Sequence, residues 1–293
     1  MPYANPHALV STEWLATHLR SPGVRVVDAS WYFPSTGRTG RAEFEREHIP
    51  GAVFFDIDEI AAPKVPSPDG IVLPHMMPDA ARFAAKVGAL GLGNGNRIVV
   101  YDRSGGASAA ARAWFMFRAF GHNDVALLDG GLVKWLAEKR PVDTDLFPSR
   151  QRPFTAAPRP GLIRDKAAMK ANIASRAEQV VDARSRARFA GTEKEPWPFK
   201  KLGHIPGSRN LPWSDLLDPE LKTLPRAEVL AKRFADAGID AKGPIVASCG
   251  SGVSACLLAF GLYLLGRDDV AIYDGSWSEW GNVDDTPAAT GDA

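Results

Sequence analysis

The stretch of this sequence best equipped for chemistry is Ser248-Cys249-Gly250-Ser251-Gly252-Val253-Ser254-Ala255. Cys249 closes the short apolar run 244–247, and residues 254–265 have the composition of a helix. Glycines between a strand and a helix let the backbone turn with its N–H groups facing inward, and such a nest at a helix N-terminus stabilises an anion. These features predict a nucleophilic Cys249 thiolate. The alternative is that Cys249 is an ordinary small side chain buried at a strand end.

A cysteine phosphatase presents the same nucleophile in a loop of the form Cys-x5-Arg, where the arginine grips the phosphoryl group. Here the residue six places after Cys249 is Ala255. A loop without that guanidinium has no bidentate contact for phosphate. The sequence therefore argues against phosphatase chemistry.

The run Cys-Gly-Ser-Gly-Val-Ser-Ala at 249–255 resembles the active-site loop of the rhodanese superfamily, in its 3-mercaptopyruvate sulfurtransferase branch. The resemblance implies that Cys249 takes a sulfane sulfur from a small-molecule donor, holds it as a persulfide, and passes it to a thiol acceptor such as thioredoxin, or to cyanide. It also implies that the rest of the loop binds substrate through Gly250, Gly252, Val253, Ser254 and Ala255.

The residues directly after the cysteine bear on the choice of donor. Thiosulfate sulfurtransferases typically carry an Arg-Lys pair there, whereas this chain has Gly250 and Ser251. A neutral pair offers less charge for a dianion, so 3-mercaptopyruvate is the expected donor and thiosulfate the alternative. A further alternative is a binding module, because some rhodanese-like domains are scaffolds without a working cysteine.

A substrate carboxylate needs a cation, and Arg188, before Phe189, matches an arginine that family members use for this purpose. Guanidinium holds a carboxylate through two parallel hydrogen bonds. The alternative for Arg188 is that it belongs with Arg184 and Arg186 to a solvated basic face.

The chain departs from the family pattern a few residues further on. Family members usually read Glu-Pro-Arg, with that arginine as a second grip on the carboxylate, and this sequence has Trp197 at the arginine position. Lys200 and Lys201 follow closely and are candidates for the missing positive charge, although a lysine lacks the planar fork.

The resemblance also implies a proton relay that reaches into the first half of the chain. Segments 54–58 and 73–78 match those that place an aspartate and a histidine near the catalytic cysteine. In the implied relay Asp58 orients His75, and Ser251 helps to move the proton of the donor thiol. The alternatives are that Asp58 caps a helix and that His75 is an incidental loop residue.

Composition limits the class of protein. The 293 residues carry 35 basic and 34 acidic side chains, for a formal net charge of +1, so no nucleic acid or membrane partner is expected. Cys249 and Cys256 form no Cys-x-x-Cys pair, which predicts no metal site, no disulfide framework and a reducing compartment. No dinucleotide fingerprint is present, so no cofactor is expected. With no signal-like N-terminus, we expect a cytoplasmic protein.

Several landmarks recur in the same order in both halves of the chain, at offsets between 145 and 156 residues. The recurring pairs are 26–28 with 180–182, 48–51 with 204–207, 98–102 with 245–249, and 129–135 with 274–280. Such a pattern predicts two copies of one domain, at 1–143 and 161–293, joined by a proline-rich linker at 144–160. Asp102 stands at the cysteine position of the first copy. A carboxylate cannot carry a sulfane sulfur, so the first domain is predicted to be non-catalytic.

Short apolar runs alternate with amphipathic stretches in both copies, which predicts an α/β fold. Strands that are apolar throughout indicate a mostly parallel sheet with helices on both faces. The predicted strands are 24–27, 98–101, 125–128, 180–181, 245–247 and 270–273, and the predicted helices are 80–90, 108–120, 226–237 and 254–265. Residues duplicated in both halves, such as His48 and His204, are expected to serve the fold.

Overall fold

In the computed structural model, the first domain is built on a five-stranded sheet of order β1-β5-β4-β2-β3, in which all strand pairs are parallel. The structure describes residues 2–103, 108–146, 149–196 and 199–291, so Trp197 lies outside the described residues. The strands are β1 (Leu9–Val10), β2 (Val24–Asp28), β3 (Val53–Phe54), β4 (Arg97–Tyr101) and β5 (Val125–Leu128). The helices are α1 (Thr12–His18), α2 (Gly40–Arg46), α3 (Ile57–Ile60), α4 (Ala80–Ala89), α5 (Ser108–Ala119) and α6 (Gly131–Ala137).

The second domain repeats this arrangement with a parallel sheet of order β6-β10-β9-β7-β8. Its strands are β6 (Ile163–Arg164), β7 (Gln179–Asp182), β8 (Arg209–Asn210), β9 (Ile245–Ser248) and β10 (Ala271–Tyr273). Its helices are α7 (Lys166–Ser175), α8 (Arg186–Ala190), α9 (Ala227–Asp236), α10 (Ala255–Leu264) and α11 (Ser276–Trp280). The duplicated α/β architecture is as predicted.

Helices cover both faces of each sheet, so the side chains of a strand are buried on either side although they point alternately to opposite faces. In β4, Ile98 and Val100 pack on the face that α5 covers, whereas Val99 and Tyr101 pack on the face of α1 and α6. The sequence of such a strand therefore reads as an uninterrupted apolar run. In the second sheet α9 and α10 cover one face, and α7 and α11 cover the other.

The two domains share one hydrophobic core, in which α5 of the first domain packs against α10 of the second. Trp114 meets Phe260 edge to face, with ring centroids 4.8 Å apart. All ten residues of α10 are buried. The contact fixes the position of the cysteine loop, which leads into α10, relative to the first domain.

The duplicated histidines hold the backbone, as predicted. In each copy the imidazole Nδ1 lies within hydrogen-bond distance of a carbonyl oxygen, at 2.8 Å from His48 to Phe44 and at 2.9 Å from His204 to Phe189. Each ring also stacks on that phenylalanine.

The linker region packs on the first domain through backbone hydrogen bonds from Arg152 to Gly88 and from Ala157 to Phe120. Phe154 is buried among aromatic side chains there. The predicted domain boundaries themselves stay predictions. No helix of the described segments is long and apolar enough to cross a membrane.

Candidate active site

Cys249 follows β9 directly and is 1% exposed. The loop after it turns at Gly252, whose φ is +72°, and α10 begins at Ala255. A Cβ atom on Gly252 would lie 2.9 Å from the carbonyl oxygen of Asp274. Both the left-handed backbone and the close approach therefore require glycine at this position. The loop leads directly into the N-terminus of α10, which is the end at which a helix carries a partial positive charge.

Residues at the start of α11 hold the loop from the other side. The Ser276 hydroxyl accepts a hydrogen bond from the backbone N–H of Cys249 at 3.2 Å, and the N–H of Trp277 donates to the Cys249 carbonyl at 2.9 Å. Ser278 donates to the Gly250 carbonyl through its N–H at 2.8 Å and through its hydroxyl at 2.6 Å.

Sequence reasoning missed these serines, although a signal was present. Ser276 has a φ of +49°, and the first copy has Gly131 at the corresponding place with a φ of +51°. A serine in a backbone conformation that favours glycine is strained, and strained residues of this kind cluster at functional sites. The replacement of Gly131 in the first copy by Ser276 in the second was therefore a visible signal in the sequence.

The structure brings the three predicted relay residues together from two domains. His75 Nδ1 lies 3.1 Å from Ser251 Oγ, and its Nε2 lies 3.6 Å from an oxygen of Asp58. Asp58 also accepts hydrogen bonds from Lys64 at 2.7 Å and from the indole of Trp31 at 2.8 Å. The cap of α3 is Asp56, so the alternative role of Asp58 as a helix cap is wrong.

Burial controls the charge of His75. Its side chain is 1% exposed, and the loss of hydration lowers its pKa from 6.5 to about 4, despite the nearby Asp58 carboxylate. Burial alone would raise the pKa of Asp58, but the Lys64 hydrogen bond and the other neighbours keep it below its usual value. At neutral pH a neutral imidazole therefore faces a carboxylate. This favours a proton on Nε2 and leaves Nδ1 free to accept the Ser251 hydroxyl proton.

A cavity of about 350 Å³ opens over the cysteine between the two domains. Of the predicted substrate-binding residues, Arg188, Gly250, Val253 and Ser254 line it, whereas Gly252 and Ala255 do not. The full lining is Trp31, Tyr32, Phe33, Thr36, Arg38, Arg188, Trp213, Cys249, Gly250, Ser251, Val253 and Ser254. The first domain thus supplies an aromatic wall and a second cation, Arg38, which sequence reasoning did not single out.

Arg188 is held by an acidic side chain rather than by solvent. Its Nε donates to Glu195 at 2.7 Å, and the Glu195 side chain is 1% exposed. Glu195 also pairs with the fully buried Arg184. The idea of one solvated basic face is therefore wrong for Arg184 and Arg188, and it holds for Arg186, whose side chain is 71% exposed and pairs with Asp215.

The two lysines proposed as substitutes for the missing arginine bind elsewhere. Lys200 pairs with Asp284 at 3.1 Å, and Lys201 donates to the carbonyl oxygens of Val283 and Thr286 at 2.5 Å. Neither lysine lines the cavity over Cys249. The hypothesis is wrong because the chain folds both ammonium groups back onto the segment after α11.

Cys256 is a core residue, as predicted. It is fully buried in α10, and its thiol lies 3.2 Å from the Gly252 carbonyl. Burial raises the pKa of this thiol to about 12. It therefore stays protonated at neutral pH and is no nucleophile.

Comparison with known proteins agrees with this geometry. A family model described as a rhodanese-like domain matches residues 11–138 and 165–282. The chain is similar to human 3-mercaptopyruvate sulfurtransferase, with 46% identity over 93% of this chain and 91% of the relative. It is also similar to a thiosulfate sulfurtransferase of Cricetulus griseus, with 43% identity over 93% of this chain and 91% of that relative.

A solved structure shows the same architecture. The 3-mercaptopyruvate sulfotransferase SseA of Escherichia coli superposes with a TM-score of 0.82 and 34% identity, over 93% of this chain and 99% of that one. Matches of this length and identity establish common descent across both domains. The chain therefore belongs to the rhodanese family, as a sulfurtransferase with two rhodanese-like domains.

Proposed function

We propose that this protein transfers sulfur from 3-mercaptopyruvate to a thiol acceptor through a persulfide on Cys249. One observation carries the choice of donor: a neutral His75, linked to Ser251, lies beside the cysteine loop. A donor that carries a thiol proton needs a base to accept it, and thiosulfate has no such proton. The relay is therefore matched to a thiol donor.

In the first step the Cys249 thiolate attacks the sulfur of 3-mercaptopyruvate. The new S–S bond forms as the carbon–sulfur bond breaks. The electron pair of the carbon–sulfur bond stays on carbon, which gives the enolate of pyruvate. Ser251 passes the thiol proton toward Nδ1 of His75, and the same proton then returns to the enolate carbon. The products are pyruvate and a Cys249 persulfide, so protons and electrons balance without a further reagent.

Arg188 is the proposed anchor of the donor carboxylate. It lines the cavity, and its contact with Glu195 holds the guanidinium in one orientation. An arginine fixed in this way loses less conformational entropy when it binds a carboxylate. The aromatic side chains of Trp31, Tyr32 and Phe33 form the opposite wall and restrict the access of water.

In the second step an acceptor thiolate attacks the outer sulfur and releases the Cys249 thiolate. The proposed acceptors are a thiol such as thioredoxin, or cyanide, in the cytoplasm. The first domain, proposed to span 1–143, contributes walls and relay residues but no sulfur carrier. A linker at 144–160 and a catalytic domain at 161–293 complete this proposal.

The test is intact-protein mass spectrometry after incubation with 3-mercaptopyruvate or, separately, thiosulfate. Wild type should gain one sulfur, about 32 Da, on a thiolate that acts as nucleophile, and Cys249→Ser should gain none. Cys256→Ser is the matched control, because that thiol is buried and protonated, and it should behave as wild type. Faster loading from thiosulfate would favour the alternative donor, and no loading from either would refute sulfur transfer.

A further inference from the structure

The guanidinium of Arg112 connects both halves of the site. Arg112 lies on α5 of the first domain and is fully buried. Its Nη2 donates to the carbonyl oxygen of His75 at 2.6 Å and to the carboxylate of Asp274 at 2.7 Å, and its Nη1 donates to the carbonyl of Gly252 at 3.2 Å. One side chain thus contacts the relay histidine's backbone, the cysteine loop and the loop after β10.

Two of the three acceptors belong to residues whose backbone lies in the left-handed region. His75 and Gly252 both have a positive φ, at 58° and 72°. Asp274 accepts a second hydrogen bond, at 2.7 Å, from the backbone N–H of Met77. The segment that carries His75 is therefore tied to the cysteine loop through Arg112 and Asp274, across the domain interface.

The internal duplication shows which part of this arrangement the fold requires. Asp129 is the counterpart of Asp274, and it accepts a hydrogen bond at 2.9 Å from the N–H of Leu224 in the other domain. Leu224 corresponds to Met77 at the offset of 147 residues that relates Asp102 to Cys249. Both sides of the interface thus share a carboxylate that crosses to the opposite backbone.

The arginine is present on only one side. At the same offset of 147 residues, the counterpart of Arg112 is Ala259. Asp129 therefore makes its contact with the other domain without an arginine at the position that corresponds to Arg112. The arginine therefore accompanies the cysteine and the relay rather than the interface as such.

Arg112 is also poorly suited to a purely stabilising role. Its Nε is buried without a hydrogen-bond partner among the described residues. A buried ion pair with an unsatisfied donor is often no more stable than an apolar replacement of similar volume. The retention of such a group in the core calls for a reason other than stability.

We infer that Arg112 is a positioning residue for sulfur transfer. It fixes His75 and the Cys249 loop relative to each other, so that the site is assembled only when the two domains are docked. This inference rests on the proposed function. A cleft that joins residues of two domains needs such a connection, because a displacement of about 1 Å can slow a reaction about 100-fold.

The experiment compares Arg112→Met, which keeps much of the side-chain volume, with Asp129→Asn as the matched control on the other side of the interface. The rate of persulfide formation from 3-mercaptopyruvate is followed by mass spectrometry between pH 4 and 8. Arg112→Met should be slower by about 10- to 100-fold, and Asp129→Asn should stay within about twofold of wild type, since the cross-domain contact of Asp129 is with Leu224 and not with His75 or the cysteine loop.

The pH profile separates positioning from general stability. The positive charge of Arg112 contributes to the low pKa of His75. Arg112→Met should therefore move the acid limb of the profile to higher pH, whereas Asp129→Asn should not move it. Arg112→Lys keeps the positive charge but cannot make all three contacts of the guanidinium. Its rate of persulfide formation should therefore be low, while the acid limb of its pH profile should stay close to that of wild type.

Hydrogen exchange gives a measurement that needs no sulfur donor. Arg112→Met should accelerate exchange at Met77 and in the loop 250–255, and Asp129→Asn should accelerate it at Leu224 instead. If Arg112→Met fails to fold, the isosteric Asp274→Asn replaces it, with the same expected exchange at Met77. The inference would be overturned if wild type loads sulfur and Arg112→Met has the same rate of persulfide formation and the same hydrogen exchange as wild type. It would also be overturned if Arg112→Met and Asp129→Asn had equal effects. Failure of wild type to load sulfur would instead refute the proposed function.

Discussion

The low pKa of His75 has a consequence for stability that can be measured without substrate. The pKa is lowered from 6.5 to about 4 by burial. Between these values the unfolded chain binds a proton at this residue and the native protein does not, so acidification favours unfolding. The stability that His75 contributes is complete above pH 6.5, and it is lost as the pH falls toward 4. The shift corresponds to about 3 kcal/mol of unfolding free energy.

His75→Asn is the appropriate perturbation. The backbone of His75 has a φ of +58°, and asparagine is among the residues that tolerate this conformation. The variant therefore removes the titratable ring and keeps the turn. Urea unfolding is followed by tryptophan fluorescence and far-UV circular dichroism at several pH values between 7 and 4, because coincident transitions are required before one free energy is assigned.

The expected result is a difference between the two proteins that depends on pH. Relative to His75→Asn, wild type should lose about 3 kcal/mol between pH 7 and 4. Burial also raises the pKa of Asp28 and Asp129 to about 6, but those groups are present in both proteins and cancel in the comparison. Parallel curves would show that His75 is not held as a buried neutral ring, and would refute the reasoning on which the relay depends.

Two further predictions concern the relay and the donor anchor. Ser251→Ala should slow persulfide formation from 3-mercaptopyruvate by about 100-fold. The effect on the reaction with thiosulfate should be much smaller, because thiosulfate brings no thiol proton. Equal losses with both donors, measured by rapid-mixing mass spectrometry, would contradict a proton-transfer role. Arg188→Ala should raise KM for 3-mercaptopyruvate by about 10- to 100-fold, as expected for the loss of a charged hydrogen bond. Arg186→Ala is the control for the second prediction, since Arg186 is solvent-exposed, and similar KM values for the two arginine variants would remove Arg188 from the binding site.

The sequence predicted α4, α5, α9 and α10 from their apolar or amphipathic stretches, but it did not predict α7, which is also ten residues long and buries only Met169 and Asn172. The predicted strand 125–128 matches β5, and the predicted helices at 80–90 and 254–265 match α4 and α10 to within one residue at each end. The edge strands β1, β3, β6 and β8 were not predicted. Each has only two residues, which is too short for a periodic pattern to be visible.

The site was predictable to the extent that it is local in sequence. The cysteine loop and the helix after it lie within one stretch, so the turn chemistry was readable from the residues themselves. Asp58 and His75 were singled out by resemblance to the family, since no spacing rule connects residues 176 positions apart such as His75 and Ser251. Arg112 was missed for the same reason, because its partner Asp274 is 162 positions away.

The first domain supplies an internal control for the chemistry of the cysteine position. There the equivalent residue is Asp102, and its carboxylate accepts a hydrogen bond at 3.1 Å from the backbone N–H of Ala110, in the first turn of α5. The turn from strand to helix thus directs a backbone N–H group at a side-chain oxygen in the first copy. A turn of this kind, at the positive end of a helix, favours negative charge. The second domain places a thiol in that environment, and the proposed relay residues Asp58 and His75 of the first domain lie beside it.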